Sequence, residues 1–294
     1  MWIQRFIDTA RGTFELFEKG QGVPLCVTHL YSAYDNRGNT FANPFTTNYR
    51  VYLINLRGCG NSIEAEDESQ YSLIESVNDL EAIRLALGIE RWGVGGHSTG
   101  GMLALQYAIQ VPDALTKIIA GGTSASKEYA ANPSSIYCRK NPNFDRIMEI
   151  MNQLNDPRTP IEIRKEINRE WASMSFYSAE KLEKALTIPN SGKTVGDRLN
   201  YFMKKEFPTY DLRKRLSNVT LPTYIYAGKY DAQCPYEYGV EIANLIPHAS
   251  FTTFEESNHN PFVEEEEEFR DFVKSTIHDD LLPKFNTLIQ GAEK

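Results

Sequence analysis

The sequence predicts an α/β protein, with a mainly parallel sheet, helices on both faces and an inserted helical segment. Three observations carry that expectation. Apolar, strand-like runs alternate with runs whose apolar residues recur at helical spacing. The alternation stops between about Ser124 and Ser217, where the pattern turns helical and charged, and then resumes. Finally, the stretch GVGGHSTGGML, Gly93 to Leu103, sets one serine among five glycines between a strand and a helix. So many glycines are costly in backbone entropy unless the geometry needs them.

The elements follow in order. GTFELFEKG and GVPLCVTH are short strand-like runs broken by glycine and proline, followed by a polar loop through YDNRGNT. YRVYLINL is largely apolar throughout, as in a strand buried on both faces. In YSLIESVNDLEAIRLALGI, Leu73, Val77, Leu80, Ile83 and Leu87 fall at helical spacing. RWGVGGH is then a strand, TGGMLALQYAIQVP a helix ending near Pro112, and LTKIIAGGT a further strand. The next segment offers four helices, in NFDRIMEIMNQL, PIEIRKEINREWASMSF, SAEKLEKAL and VGDRLNYFMKKEF, and no strand candidate. The alternation returns with PTYIYAG, the helix YEYGVEIANLI, the strand SFTTFEE and a closing helix in NPFVEEEEEFRDFVKSTI. The expected organisation is therefore a core of residues 1–123 and 218–294 with a helical cap at 124–217.

The run Glu264–Glu268 reads as a solvated helix face. Asn260 and Pro261 suit a cap and first position, carboxylates favour the opening turns, and Phe262, Phe269, Phe272 and Val273 supply the apolar side.

The 294 residues, 41% hydrophobic and 24% charged, suffice for a sizeable core. A net charge of −8 argues against nucleic acid as a partner, since no basic stripe exists to neutralise phosphates. No run approaches the roughly 18 apolar residues that span a membrane. The N-terminal MWIQRFIDTARGTFELF lacks the apolar core and cleavage site of a secretory leader. Cys26, Cys59, Cys138 and Cys234 are scattered, with no C-x-x-C pair, and are expected to be reduced thiols rather than a disulfide or zinc set. These features point to a cytoplasmic protein acting on a small molecule, without membrane, metal or cofactor.

Gly96-His97-Ser98-Thr99-Gly100 matches G-x-S-x-G, the nucleophile elbow, in which a serine stands on a strained strand-to-helix turn. The plainer reading is that Ser98 only caps the helix, but an ordinary cap needs no glycine on both sides. A serine hydroxyl needs a base, and the base an acid that fixes its tautomer. Among five histidines, His97 lies inside the elbow, His29 ends an early strand upstream of the serine, His248 follows a proline in a loop and His278 sits on a charged terminal helix. His259, in ESNHNPF between the last strand and last helix, stands where an α/β-hydrolase presents its base. For the acid, YAGKYDAQCP places Asp231 on the loop after the first strand beyond the insertion, before a proline-started helix. Glu255 and Glu256 are nearer in sequence to His259 but lie on its own strand end. The order Ser98, Asp231, His259 is the α/β-hydrolase order.

The chain thus resembles the α/β-hydrolase superfamily, and within it most closely the prolyl iminopeptidase group. NPFTTNYRVYLINLRGCGNS, NDLEAIRLALGIERWGV, the elbow and GKYDAQCP carry the resemblance, and the insertion shows no match. Arg57, Gly58 and Gly60 read as scaffold. The resemblance implies an oxyanion hole from the backbone N–H groups of Thr99 and Tyr31. Two positions differ from that group: Thr99 replaces the usual tryptophan after the nucleophile, and THLYSAY replaces a glycine-rich H-G-G-P-G turn. Leu30 and Tyr31 would then reshape the pocket beside the acyl carbon. The insertion offers Trp171 as a substrate contact, and Glu162, Glu166, Glu170 and Glu180 as candidates to pair with a substrate amine.

The expected activity is acyl transfer through Ser98, His259 and Asp231, on a small ester or amide, leaning to a carboxylesterase because of THLYSAY. An aminopeptidase acting on short peptides is the alternative. A ligand-binding homologue with slow turnover is a third, marked in sequence by a damaged triad, and this triad looks whole. The sequence gives no indication of oligomeric state.

Overall fold

The structure, a computed structural model, describes residues 1–156 and 158–277. Its main sheet runs β1 (Ile3–Thr9), β2 (Gly12–Lys19), β5 (Tyr49–Ile54), β3 (Val23–Val27), β6 (Trp92–His97), β7 (Leu115–Gly121), β9 (Thr223–Gly228) and β10 (Ser250–Phe254) in spatial order. The β1–β2 and β2–β5 pairings are antiparallel, and every pairing from β5 to β10 is parallel. The strands of the parallel part are largely buried, except the edge strand β10, where only Phe254 is. Their pleat sends Cys26, Ile118 and Ile225 into one apolar layer and Leu25, Val27, Ile119 and Tyr226 into the other.

The expected helices are present on this frame: α1 (Leu73–Ala86), α2 (Thr99–Gln110), α8 (Tyr236–Leu245) and a C-terminal pair, α9 (Pro261–Glu264) and α10 (Glu266–Ser275). From β3 the chain moves outward to β5, then returns through α1 to β6 on the other side of β3. Such a reversal of strand order, at the carboxyl ends of β3 and β6, is where open α/β sheets bind ligands. His29 follows β3, Ser98 follows β6, Asp231 follows β9 and His259 follows β10, so all four stand at one edge of the sheet.

Residues 124–217 hold α3 (Phe144–Asn155), α4 (Ile161–Ser173), α5 (Ala179–Leu186), α6 (Gly196–Tyr201) and α7 (Arg213–Leu216). Arg146 clamps α3 to Glu170 of α4 at 2.5 Å. The segment also contains a short strand, β8 (Lys193–Thr194), which pairs with β4 (Ser32–Ala33), against the expectation of none. Two residues leave no periodicity to read.

The N-terminal strand β1 was likewise not marked by the sequence. Among its seven residues only Ile7 is buried, and it rests on backbone pairing with β2 rather than on an apolar face. The closing helix is in fact two, broken at Glu265, where φ is −130° and ψ 66°. His278 lies outside the described residues. Among the described residues, no helix is long and apolar enough to cross a membrane.

Candidate active site

Ser98 does not behave as a helix cap. Ser72 and Ser178, which start α1 and α5, are extended and accept the amide of the third helical residue, at 3.1 and 3.2 Å. Ser98 instead has φ 56° and ψ −124°, and its side chain makes no capping bond. A positive φ outside glycine is a strained conformation, held only when its surroundings over-determine it. Here the restraints are specific. The Ser98 N–H donates to the Gly121 carbonyl at 3.0 Å, and the Ser98 carbonyl receives Gly101 and Met102. A methyl at Gly96 would stand 2.0 Å from the Gly100 oxygen, and one at Gly100 would stand 2.5 Å from the Thr28 oxygen. The two outer glycines therefore let the turn close on itself and lie against the end of β3.

His259 and Asp231 meet as the chain order implied. Nδ1 of His259 lies 3.0 and 2.9 Å from the two carboxylate oxygens, and both side chains are buried. Asp231 Oδ1 also accepts the amides of Gln233 and Cys234, each at 2.9 Å. A carboxylate only accepts when ionised, so Nδ1 carries the proton and Nε2 is left as an acceptor. His97 packs beside His259, with ring centroids 4.5 Å apart. Its Nδ1 meets the Tyr226 hydroxyl at 3.0 Å, and burial, then the neighbouring His259, pulls its pKa well below the usual value. A methyl at Gly122 would stand 3.1 Å from His259 Cε1 and 2.3 Å from His97 Cε1. The His259 ring therefore borders the Gly121–Gly122 segment that also receives the Ser98 amide.

The loop carrying His259 is held by the glutamate run, which corrects the solvated-face reading of all five carboxylates. Glu264 is 6% exposed, and its Oε1 accepts the amides of Asn258 and Asn260 at 3.0 and 2.9 Å. Its Oε2 accepts the Tyr177 amide at 2.6 Å, and burial raises its pKa. Glu265 accepts the Glu256 amide and the Ser257 hydroxyl at 3.0 and 2.5 Å. Glu267 and Glu268 are exposed, as expected of a solvated face. Periodicity could not separate these roles, because loop amides are invisible to it.

On the opposite side, the Tyr31 N–H reaches Nδ1 of His29 at 3.4 Å, a long bond. A backbone N–H only donates, so Nδ1 is the acceptor and Nε2–H points to Thr99 Oγ1, 3.0 Å away. Burial pulls the His29 pKa down to about 3, with His259 and Arg198 adding to the shift. His29 is thus a neutral strut between the loop and the elbow. Leu30 is fully buried in the apolar core. Tyr31 is half-buried, and burial raises its phenol to about 12.

Trp171 lies on α4, half-buried, with its Nε1 buried. Glu162, Glu166 and Glu180 are exposed, and Glu170 is paired with Arg146. Arg57 forms a buried ion pair with Asp79 at 2.9 Å, as scaffold. All four cysteines are free and buried. Arg198 is a buried charge that the sequence did not mark, and Glu264 is one that it assigned to the solvent.

With this geometry, the matches to known proteins agree. Residues 32–266 match the family described as alpha/beta hydrolase fold, and the chain belongs to that family. It is a hydrolase of the α/β type. A proline iminopeptidase from Heyndrickxia coagulans is 26% identical over 295 aligned residues, covering 92% of this chain and 96% of that one. The structure of an α/β fold family hydrolase from Bacillus anthracis superimposes with a TM-score of 0.93 at 62% identity, covering 94% of this chain and 99% of the other. An esterase from Exiguobacterium antarcticum shares the fold, with a TM-score of 0.71 at 22% identity, over 94% of this chain and 100% of its own.

Proposed function

We propose that the protein is a serine hydrolase acting by acyl transfer on a small ester, with Ser98 as nucleophile, His259 as base and Asp231 as its orienting acid. The observation that supports this reading is that a strained, uncapped Ser98 follows β6 while a buried His259, its Nδ1 fixed on the Asp231 carboxylate, follows β10 of the same sheet. In the reaction, Ser98 Oγ attacks the carbonyl carbon while His259 Nε2 takes its proton. The Asp231 carboxylate stabilises the imidazolium that forms. The N–H groups of Thr99 and Tyr31 receive the developing oxyanion, the 3.4 Å bond from Tyr31 to His29 being long enough to be shared. His259 then protonates the leaving alkoxide. Water, deprotonated by the same imidazole, releases the acid and restores Ser98.

Residues 124–217 act as the cap, and Tyr31 and Trp171 as the wall on the acyl side, whereas the Leu30 side chain, expected there, is packed into the core instead. An ester is favoured over an amino-terminal peptide because the four cap carboxylates suited to an amine are exposed or already paired. The proline iminopeptidase relative supports aminopeptidase action as the second reading. A cytoplasmic setting without nucleic acid, membrane, metal or cofactor completes the proposal.

The test is labelling with a fluorophosphonate, followed by parallel assays of p-nitrophenyl acetate and prolyl and alanyl arylamides. Wild type should be labelled and Ser98→Ala should not; equal labelling of both removes Ser98 as nucleophile. Arylamide cleavage that depends on a free amine and exceeds ester cleavage would replace the ester reading with the aminopeptidase one.

A further inference from the structure

Arg198, on α6, is 1% exposed, yet its guanidinium meets no carboxylate at hydrogen-bonding distance among the described residues. Its Nε donates to the Leu30 carbonyl, its Nη1 to the Arg57 carbonyl at 2.9 Å, and its Nη2 to Ser76 Oγ at 2.7 Å. The face of Tyr71 lies 5.2 Å from the guanidinium carbon. A buried charge held only by neutral acceptors is expensive, and an apolar side chain of similar size would avoid that cost. The position of the charge therefore calls for a physical reason.

The Leu30 carbonyl belongs to the same peptide unit as the Tyr31 N–H. In a trans peptide these two groups point in opposite directions, and the described chain contains no cis bond. Drawing the carbonyl toward Arg198 turns the N–H away from it, toward His29, whose other ring nitrogen meets Thr99 of the elbow. A cation on the carbonyl oxygen also pulls electron density from the amide and makes its N–H a stronger donor. The loop lacks the glycine-rich turn that would otherwise shape it, and the α6 region supplies further restraints. Val195 N–H donates to the Tyr31 carbonyl at 2.8 Å, and β8 pairs with β4 immediately after.

We propose that Arg198 is a positioning residue for the oxyanion hole: through the Leu30 carbonyl it orients and polarises the Tyr31 N–H. This rests on the serine-hydrolase reading above, in which that N–H receives the oxyanion. It also makes a residue of the segment 124–217 part of the chemistry rather than only a cover.

The experiment compares wild type with Arg198→Met, Arg198→Lys and Arg198→Gln. Each is checked for folding by circular dichroism and assayed well below its own Tm. The readouts are the second-order rate of fluorophosphonate labelling, whose phosphoryl oxygen occupies the same hole, and kcat and KM for p-nitrophenyl acetate. Arg198→Met is expected to lose about 10- to 100-fold in labelling rate and kcat, with KM within twofold, as for a weakened oxyanion donor. Arg198→Lys, which keeps a cation in reach of Leu30, should recover most of that loss. A merely structural arginine would lower Tm and leave the labelling rate of the folded protein unchanged. That outcome, or a loss confined to KM, overturns the proposal. Should Arg198→Met not fold, Arg198→Gln decides, with about tenfold slower labelling expected and the wild-type rate refuting it. Ser98→Ala, run alongside, separates the two readings. If it labels like wild type, the nucleophile assignment fails; if only the Arg198 variants behave like wild type, this inference alone fails.

Discussion

The loops that carry His259 and Tyr31 are held by different mixtures of local and distant ties. The loop carrying His259 is tied by its own sequence neighbours, Glu264 and Glu265, which collect the amides of Glu256, Asn258 and Asn260 within nine residues. The loop carrying Tyr31 is tied from afar, by Arg198 across 168 positions, by the Val195 amide and by β8. A local tie forms as soon as the helix start forms, because little loop entropy has to be overcome. A distant tie exists only once residues 191–198 have docked. The His259 loop meets residues 124–217 as well, its own N–H and the Asn260 side chain both donating to the Ser175 carbonyl, at 3.2 and 3.0 Å. It thus combines local with distant ties, whereas the carbonyls of Leu30 and Tyr31 are held, among the described residues, by residues 195–198 alone.

That contrast can be tested in order of expected effect. Asp231→Asn removes the acceptor that fixes the base tautomer, so kcat should fall by about 10⁴-fold with little change in Tm. Near-normal turnover of p-nitrophenyl acetate by this variant would place the acid elsewhere. Glu264→Gln puts an amide donor where three backbone N–H groups converge. Charge-assisted bonds are lost there, and stability should drop by about 2 kcal/mol, read by urea unfolding, with kcat reduced about tenfold. If that variant matches wild type in both, the base loop is not held as described.

Acid should act on both sides of the site at once. His29 and His97 are held neutral, with native pKa values below the unfolded value of about 6.5. Below that pH the unfolded chain binds more protons than the native one, so stability falls as pH drops. For His29 the loss runs from about 6.5 down to about 3. Tm measured between pH 7 and 4 should decline, and His29→Asn should flatten part of the slope. A Tm that rises on acidification would contradict the burial of these neutral rings. The smallest effect is expected at Glu268→Ala, four positions beyond Glu264 but exposed, where unfolding free energy should change by no more than about 0.5 kcal/mol. A larger change would mean that the run is not divided between holding and solvated carboxylates.

Much of this was legible in the residues themselves. The strand and helix alternation follows from burial on two faces of a sheet, and burial writes itself into spacing. Phe262, Phe269, Phe272 and Val273 were read as an apolar face, and all four are buried. The elbow was legible because steric closure at Gly96 and Gly100 admits only glycine, and the chain order brought Asp231 to His259. Strand β1 left little trace, since backbone pairing at a sheet edge needs no apolar pattern.

By itself, then, the sequence determined the α/β frame, the strained serine turn and the order of its partners, because each is set by side-chain size, periodicity or local backbone sterics. Only the tertiary structure decided which glutamates hold a loop and which face water, and why an arginine is buried beside the Leu30 carbonyl. Those choices depend on which backbone N–H and C=O groups come to lie within about 3 Å of a charge, and that proximity is a property of the folded chain.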